Sequence, residues 1–244
     1  MSATPEEAFA PRLGANGFFF GISAAWVHEL PLPPRVRRIP VHVAVPVGRR
    51  RPSARDVAAH HVRIDPNDIT IVRGMRVTTV ERTWCDLAAS GLTLGELVAV
   101  GDAILRITRP RSTPGRMHAA AARYESRRGT ATIRAALPLL DGRADSAPES
   151  EIRIALISDG VTPPLVNAPL RVAGRTLHLD LAWPDARVAI EYEGDHHRTD
   201  RAQWHHDIRR YDLLVENGWT VIRATAADYR DARRLVAHVR RALP

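Results

Sequence analysis

Leu177-His178-Leu179-Asp180-Leu181-Ala182-Trp183, then Pro184-Asp185-Ala186-Arg187, then Val188-Ala189-Ile190-Glu191-Tyr192-Glu193: this run decides the fold of its half of the chain. Leu177, Leu179, Leu181 and Trp183 alternate with polar or small residues, as do Val188, Ile190 and Tyr192, so both stretches read as half-buried strands. The four-residue loop Pro184–Arg187 sets Trp183 opposite Val188. A slip of one residue would turn every side chain to the wrong face, so the two apolar sets specify the register. Asp180 then lies opposite Glu191 and His178 opposite Glu193, all four on the face away from the apolar sets.

Directly opposed carboxylates destabilise a strand pair. Three acids on one patch need raised pKa values or a cation between them. Hard divalent ions take oxygen ligands, and Mg²⁺ commonly uses one or two carboxylates with water and phosphate. The cluster therefore points to a Mg²⁺ or Mn²⁺ site. In the alternative, Glu193 ends its strand and Arg198 or Arg210 neutralises the group. Glu149 opens an expected helix over Glu149–Asp159, with Ile152 and Leu156 on its own face. It either points towards the sheet or serves as a favourable acid in a first helical turn.

Around the hairpin the pattern reads helix, three strands, helix, strand, helix. Val166–Val172 and Trp219–Ala224 are the further strands. Asp200–Asn217 is a helix closed by Gly218, and Asp231–Leu243 is the last helix. The polar, turn-rich stretch Asp141–Pro148 separates this unit from the rest, which predicts domains over 1–145 and 146–244. In the first half, Ser2–Asn16 is weakly patterned and reads as frayed. Ile22–Leu30, Leu94–Ile107, Ala119–Tyr124 and Thr130–Leu140 read as helices. Val41–Val45, His60–Ile64 and Ile69–Val72 read as strands. In Thr78–Ser90, Thr79 caps a helix whose Arg82 and Asp86 stand at i,i+4 spacing.

The chain has 244 residues, a net charge of +8 and 35 basic residues, all of them Arg. The surplus is uneven. Residues 1–145 carry 21 Arg against 13 acids, and residues 146–244 carry 14 against 14. A basic first half suits polyanions such as DNA, although an Arg-only composition also arises from GC-rich coding bias. Arg49-Arg50-Arg51 forms a loop tip, either solvated or in contact with a DNA backbone. Without Lys, no mechanism that needs a catalytic lysine operates in its usual form. The single Cys85 excludes an intramolecular disulfide and a Cys-based zinc site. The adjacent pairs His196-His197 and His205-His206 each point their members apart, against zinc. No apolar run approaches a membrane span, no signal peptide is evident, and a cytoplasmic location is expected. No phosphate-cradling Gly-rich loop is present.

Glu191-Tyr192-Glu193-Gly194-Asp195-His196-His197, with Asp180 upstream and Asp207-Ile208-Arg209-Arg210 downstream, resembles the small restriction-endonuclease-like domain related to very-short-patch-repair endonucleases, in the PD-(D/E)XK superfamily. The resemblance covers about residues 146–244 and implies a mixed α/β fold of order αβββαβα. It implies that Asp180 and Glu191 bind metal. Glu149, in Glu149-Ser150-Glu151-Ile152-Arg153, matches the helix acid, and His197 matches a histidine after the strand. Asp207, Arg210 and Arg223 match polar positions, and Arg198, Arg210 and Arg223 are the expected nucleic-acid contacts. Glu193 stands where the superfamily has its lysine.

Ile22–Pro33, His42–Pro46 and Val77–Ala88 are similar to the abortive-infection type IV antitoxin family, through the signature Thr78-x-x-x-Arg82-Thr83-x-x-Asp86-Leu87-Ala88. The family's N-terminal winged helix needs more residues than precede Ile22. Together the resemblances imply a Mg²⁺- or Mn²⁺-dependent DNA endonuclease. Its candidate catalytic residues are Asp180, Glu191, Glu193 and His197, its candidate metal ligands Asp180, Glu191 and Glu149. Its smaller α+β first domain would recognise DNA or a protein partner such as a toxin. The alternative is a catalytically inactive, antitoxin-like DNA-binding regulator.

Overall fold

The computed structural model describes residues 3–194 and 201–244, with the side chains of all but 168, 201–208 and 230. The fold is mixed α+β, in two compact units, Met1–Leu140 and Asp141–Pro244.

In the first unit the elements run α1 (Pro5–Phe9), β1 (Phe18–Phe19), α2 (Gly21–Val27), β2 (Val41–Pro46), β3 (Val57–Val62), β4 (Ile69–Val72), β5 (Met75–Thr78), α3 (Val80–Leu87), α4 (Leu94–Leu105), α5 (Pro114–Arg123) and α6 (Thr130–Ala136). The sheet order is β3-β2-β1-β5-β4. The expectation of a frayed Ser2–Asn16 is corrected. The Thr4 hydroxyl accepts from the Glu7 N–H while the Glu7 carboxylate accepts from the Thr4 N–H, a capping box that starts α1. Glu6 is buried, bonded by Ser23 Oγ at 3.2 Å and Arg38 Nε at 2.7 Å, and Phe9 and Leu13 join the core.

All eight residues of α3 are buried, so the polar residues of the Thr78–Ala88 signature are structural partners of one another. Thr79 caps the helix. Arg82 Nε donates to Asp86 Oδ1 at 2.9 Å, as the i,i+4 spacing predicts. Thr78 and Thr83 join hydroxyls at 2.7 Å, and Trp84 Nε1 donates to the Leu97 carbonyl at 2.9 Å. Arg123 reaches Asp68 at 2.9 Å, and the Arg82 guanidinium lies 5.1 Å from the centre of the Tyr124 ring. Burial pushes the Asp86 carboxyl up to about 7, against the pull of Arg82. Arg49 and Arg50 are exposed in the β2–β3 connection.

The second unit runs α7 (Ala147–Ser158), β6 (Leu165–Val172), β7 (Arg175–Trp183), β8 (Val188–Glu193), α8 (Arg201–Glu216), β9 (Thr220–Thr225), α9 (Ala226–Arg230) and α10 (Arg233–Ala242). The sheet order is β6-β7-β8-β9, with β8 and β9 parallel across α8. The single closing helix expected over Asp231–Leu243 is preceded by the separate turn α9, which Thr225 and Asp228 start with a capping box.

The hairpin register is the one the apolar pattern dictates: Trp183 faces Val188, Ala182 faces Ala189 and Leu181 faces Ile190. The face assignment along β7 is corrected. Leu181 and Trp183 pack with Val188 and Ile190 against Ile152 and Leu156 of α7 and Leu235, Val236 and Val239 of α10. Leu179, with Leu177 beside it, packs instead with Ala182, Ala189 and Leu214 of α8. The strand therefore changes face at Asp180. β6 changes with it, since Val166 belongs to the α7 side and Val172 to the α8 side. Pairing of these strands runs through Val166↔Leu181 and resumes at Ala168↔Leu179. Between them Asn167 has φ +41°, a left-handed conformation that Asn tolerates better than other residues with a Cβ.

Asn167→Val is expected to leave the chain about 1–2 kcal/mol less stable than Asn167→Gly, because a β-branched side chain is strained at this φ. Both variants lose the Asn167 amide, so urea unfolding of the two isolates the strain; equal stability would contradict a strained switch point.

Candidate functional site

The face switch brings acids from both layers to one place. Asp180 sits at the switch in β7, where the paired register with β8 stops at Leu181↔Ile190. Beyond that point the Tyr192 N–H donates to the Asp180 carboxylate at 2.7 Å. A side chain thus satisfies a backbone donor that a continuing ladder would have used. Glu191, next to Tyr192 in β8, lies on the α8 side. Arg210 Nη1 and Nη2 donate to its two oxygens at 2.7 and 2.9 Å, and Arg210 also donates to the His178 carbonyl. Arg210, an expected nucleic-acid contact, is thus placed on Glu191.

Glu149 approaches from α7. Ser146 caps that helix, and Glu149, at its third position, is 6% exposed. Its carboxylate accepts from Ser146 Oγ at 2.7 Å and from the Asp145 N–H at 2.9 Å. Both readings of Glu149 therefore hold, as it supports the helix start and senses the sheet acids. Burial, then the Asp180 charge, pushes Glu149 up to about 7. Burial, then Asp180, pushes Glu191 up to about 8 against the opposing pull of Arg210. Asp180 is the shared neighbour through which the two are linked.

Glu193 stands apart from this group. It pairs with Arg223 of β9, and both are exposed. The expected opposition of His178 and Glu193 lies beyond the last paired residues of the hairpin. His178 uses its ring for the Asn167 carbonyl, at 3.3 Å. His197 and Arg198 lie outside the described residues. Two residues of the site escape a reading by alternation alone. Asn167 links the switch to the start of α7, its Nδ2 donating to Asp145 at 2.6 Å. Ser146 carries a legible signal, since Ser three residues before Glu is a helix-start spacing.

Three carboxylates with only oxygen donors, two of them held above their ordinary range, suit a hard divalent cation in kind. Among the described residues, no three His, Cys, Asp or Glu side chains stand close enough together to grip an ion as placed. Glu149, Asp180 and Glu191 are each engaged by protein donors instead.

The chain is 32% identical over 207 residues to uncharacterized proteins from two strains of Mycobacterium tuberculosis, CDC 1551 / Oshkosh and ATCC 25618 / H37Rv. The alignment covers 84% of this chain and 74% of each relative. The chain belongs to their family. No protein-family model and no solved structure matches the chain. Among the described residues, no helix is long and apolar enough to cross a membrane.

The raised acids carry a signed pH dependence. A carboxyl held above its unfolded value binds its proton more tightly when folded, so its contribution to stability is lost as pH rises through the folded value. Asp180→Asn keeps an acceptor for the Tyr192 N–H and removes the charge that raises both glutamates. Relative to the wild type, the variant is expected to gain stability between pH 5 and pH 8 in urea unfolding with chelator. A difference that does not change with pH would contradict the repulsion.

Proposed function

We propose that the second unit is a divalent-cation-dependent DNA endonuclease that hydrolyses phosphodiester bonds, and that the basic first unit recognises DNA or a protein partner. The observation that carries this reading is the gathering of Glu149, Asp180 and Glu191 where two strands stop pairing, with Glu149 and Glu191 both raised by the same neighbour. Such repulsion is relieved by a cation, and Mg²⁺ or Mn²⁺ matches the oxygen-only donors. The αβββαβ order of α7 to β9 and the resemblance of Glu191–His197 to nuclease sequences support the same reading.

In this reading Asp180, Glu191 and Glu149 hold the cation. When bound, the ion supplies charge neutralisation at the phosphate and acidifies an attacking water. Asp180 also orients Tyr192 through its N–H. Glu193, in the place of a lysine, supplies no positive charge, and its partner Arg223 brings a guanidinium to the same strand ends. His197 is the proposed proton acceptor or phosphate contact. A cytoplasmic location belongs to this reading, consistent with a single, buried cysteine whose thiol burial pushes up to about 12.

A second reading rests on the fork between Arg210 and Glu191 and on the missing lysine: an inactive nuclease fold in an antitoxin-like DNA-binding regulator with a toxin partner. Purified full chain with supercoiled plasmid separates the two. Nicking is expected with Mg²⁺ or Mn²⁺ and not with chelator, reduced about 100-fold or more by Asp180→Ala. Salt-sensitive DNA binding without nicking of plasmid, linear, mismatched or branched DNA would overturn the nuclease reading in favour of the regulator.

A further inference from the structure

Arg210 holds a position that the proposed chemistry does not explain. It reaches from α8 to take both oxygens of Glu191 and the His178 carbonyl, the neighbouring residues Glu191 and His178 flanking Asp180 in the hairpin. A guanidinium fork on a carboxylate is among the stronger polar contacts a protein makes, and it commits both oxygens at once. The fork also neutralises one charge in a group of three carboxylates, so it stabilises them together in the absence of metal.

The same fork keeps Glu191 from joining Asp180 and Glu149 around an ion. No three acids among the described residues are close enough to grip one while Arg210 stays. The side chain is long, and about a quarter of it is exposed, so it can leave towards solvent without unpacking α8, which is anchored by Leu213 and Leu214.

We infer that Arg210 is a built-in surrogate for the cation, a latch that holds Glu191 until a divalent ion displaces it. This rests on the nuclease reading above. Entry of the ion then breaks two charge-assisted hydrogen bonds and the contact with the His178 carbonyl. The released guanidinium is free for a phosphate, the other planar, bidentate partner that Arg recognises.

Mn²⁺ affinity of the full chain, read from the electron paramagnetic resonance of free Mn²⁺ at pH 7.5, tests this without any need for cleavage. Arg210→Gln is expected to bind Mn²⁺ about tenfold more tightly than the wild type, since a competing unit charge is gone. It is also expected to melt at a lower temperature in chelator and recover with Mn²⁺. Arg210→Lys, which keeps the charge without the fork, should fall between the two, and it carries the test should the Gln variant not fold. Asp180→Asn should remove the binding in every background. Equal or weaker Mn²⁺ binding by the Arg210 variants, with binding still dependent on Asp180, overturns the latch and leaves the metal site standing. Absence of Mn²⁺ binding in wild type and variants alike overturns both.

Discussion

The Asp180 carboxylate accepts the Tyr192 N–H at 2.7 Å, and the arrangement of the second unit turns on that bond. It lies where β7 and β8 cease to pair and where β6 and β7 change faces together. Below it, Leu181, Trp183 and Val166 pack towards α7 and α10; above it, Leu179 and Val172 pack towards α8. A residue at such a switch belongs to neither layer, so its charge is felt by Glu149 from one side and by Glu191 from the other. An uninterrupted sheet would have kept those acids on opposite faces.

The electrostatics follow from that geometry. Burial is the larger cause of the elevation of both glutamates and Asp180 the next. One guanidinium, from Arg210, offsets part of it. With no lysine anywhere in the chain, positive charge at the site comes from Arg side chains already committed to acids or from an ion. Breaking such a buried pair leaves an uncompensated charge, which is why exchange of one cation for another is physically easier than removal of both.

Much of the hairpin is legible in the sequence. The two apolar sets and the loop length specify Trp183 opposite Val188, and the two strands and α7 fall close to their expected spans. Strict alternation then misplaces Leu177 and Leu179, because it carries one parity through a strand that changes it. Asn167 was the residue able to signal the change, being tolerant of positive φ, but its partner position 180 is set by tertiary pairing. The pairing of Glu193 with Arg223, and of Glu191 with Arg210, depends on how β9 and α8 return to the sheet, which local pattern does not encode. In the first unit the reverse holds at α1. Thr4-Pro5-Glu6-Glu7 carries a capping-box spacing, yet the apolar pattern behind it is thin, and burial of Glu6 against Ser23 and Arg38 is a tertiary event. The Thr78–Ala88 signature is legible as a capped helix with an Arg82–Asp86 pair, and its polar residues are used inside the fold.

The central claim is that Asp180 gathers Glu149 and Glu191 around a divalent cation that Arg210 replaces in its absence. Anomalous diffraction from crystals of the full chain grown with Mn²⁺ tests it most directly. A manganese peak bounded by Asp180, Glu191 and Glu149, with the Arg210 side chain turned away from Glu191, is the expected result. Manganese elsewhere or absent at millimolar concentration, with the Arg210–Glu191 fork intact, would contradict it.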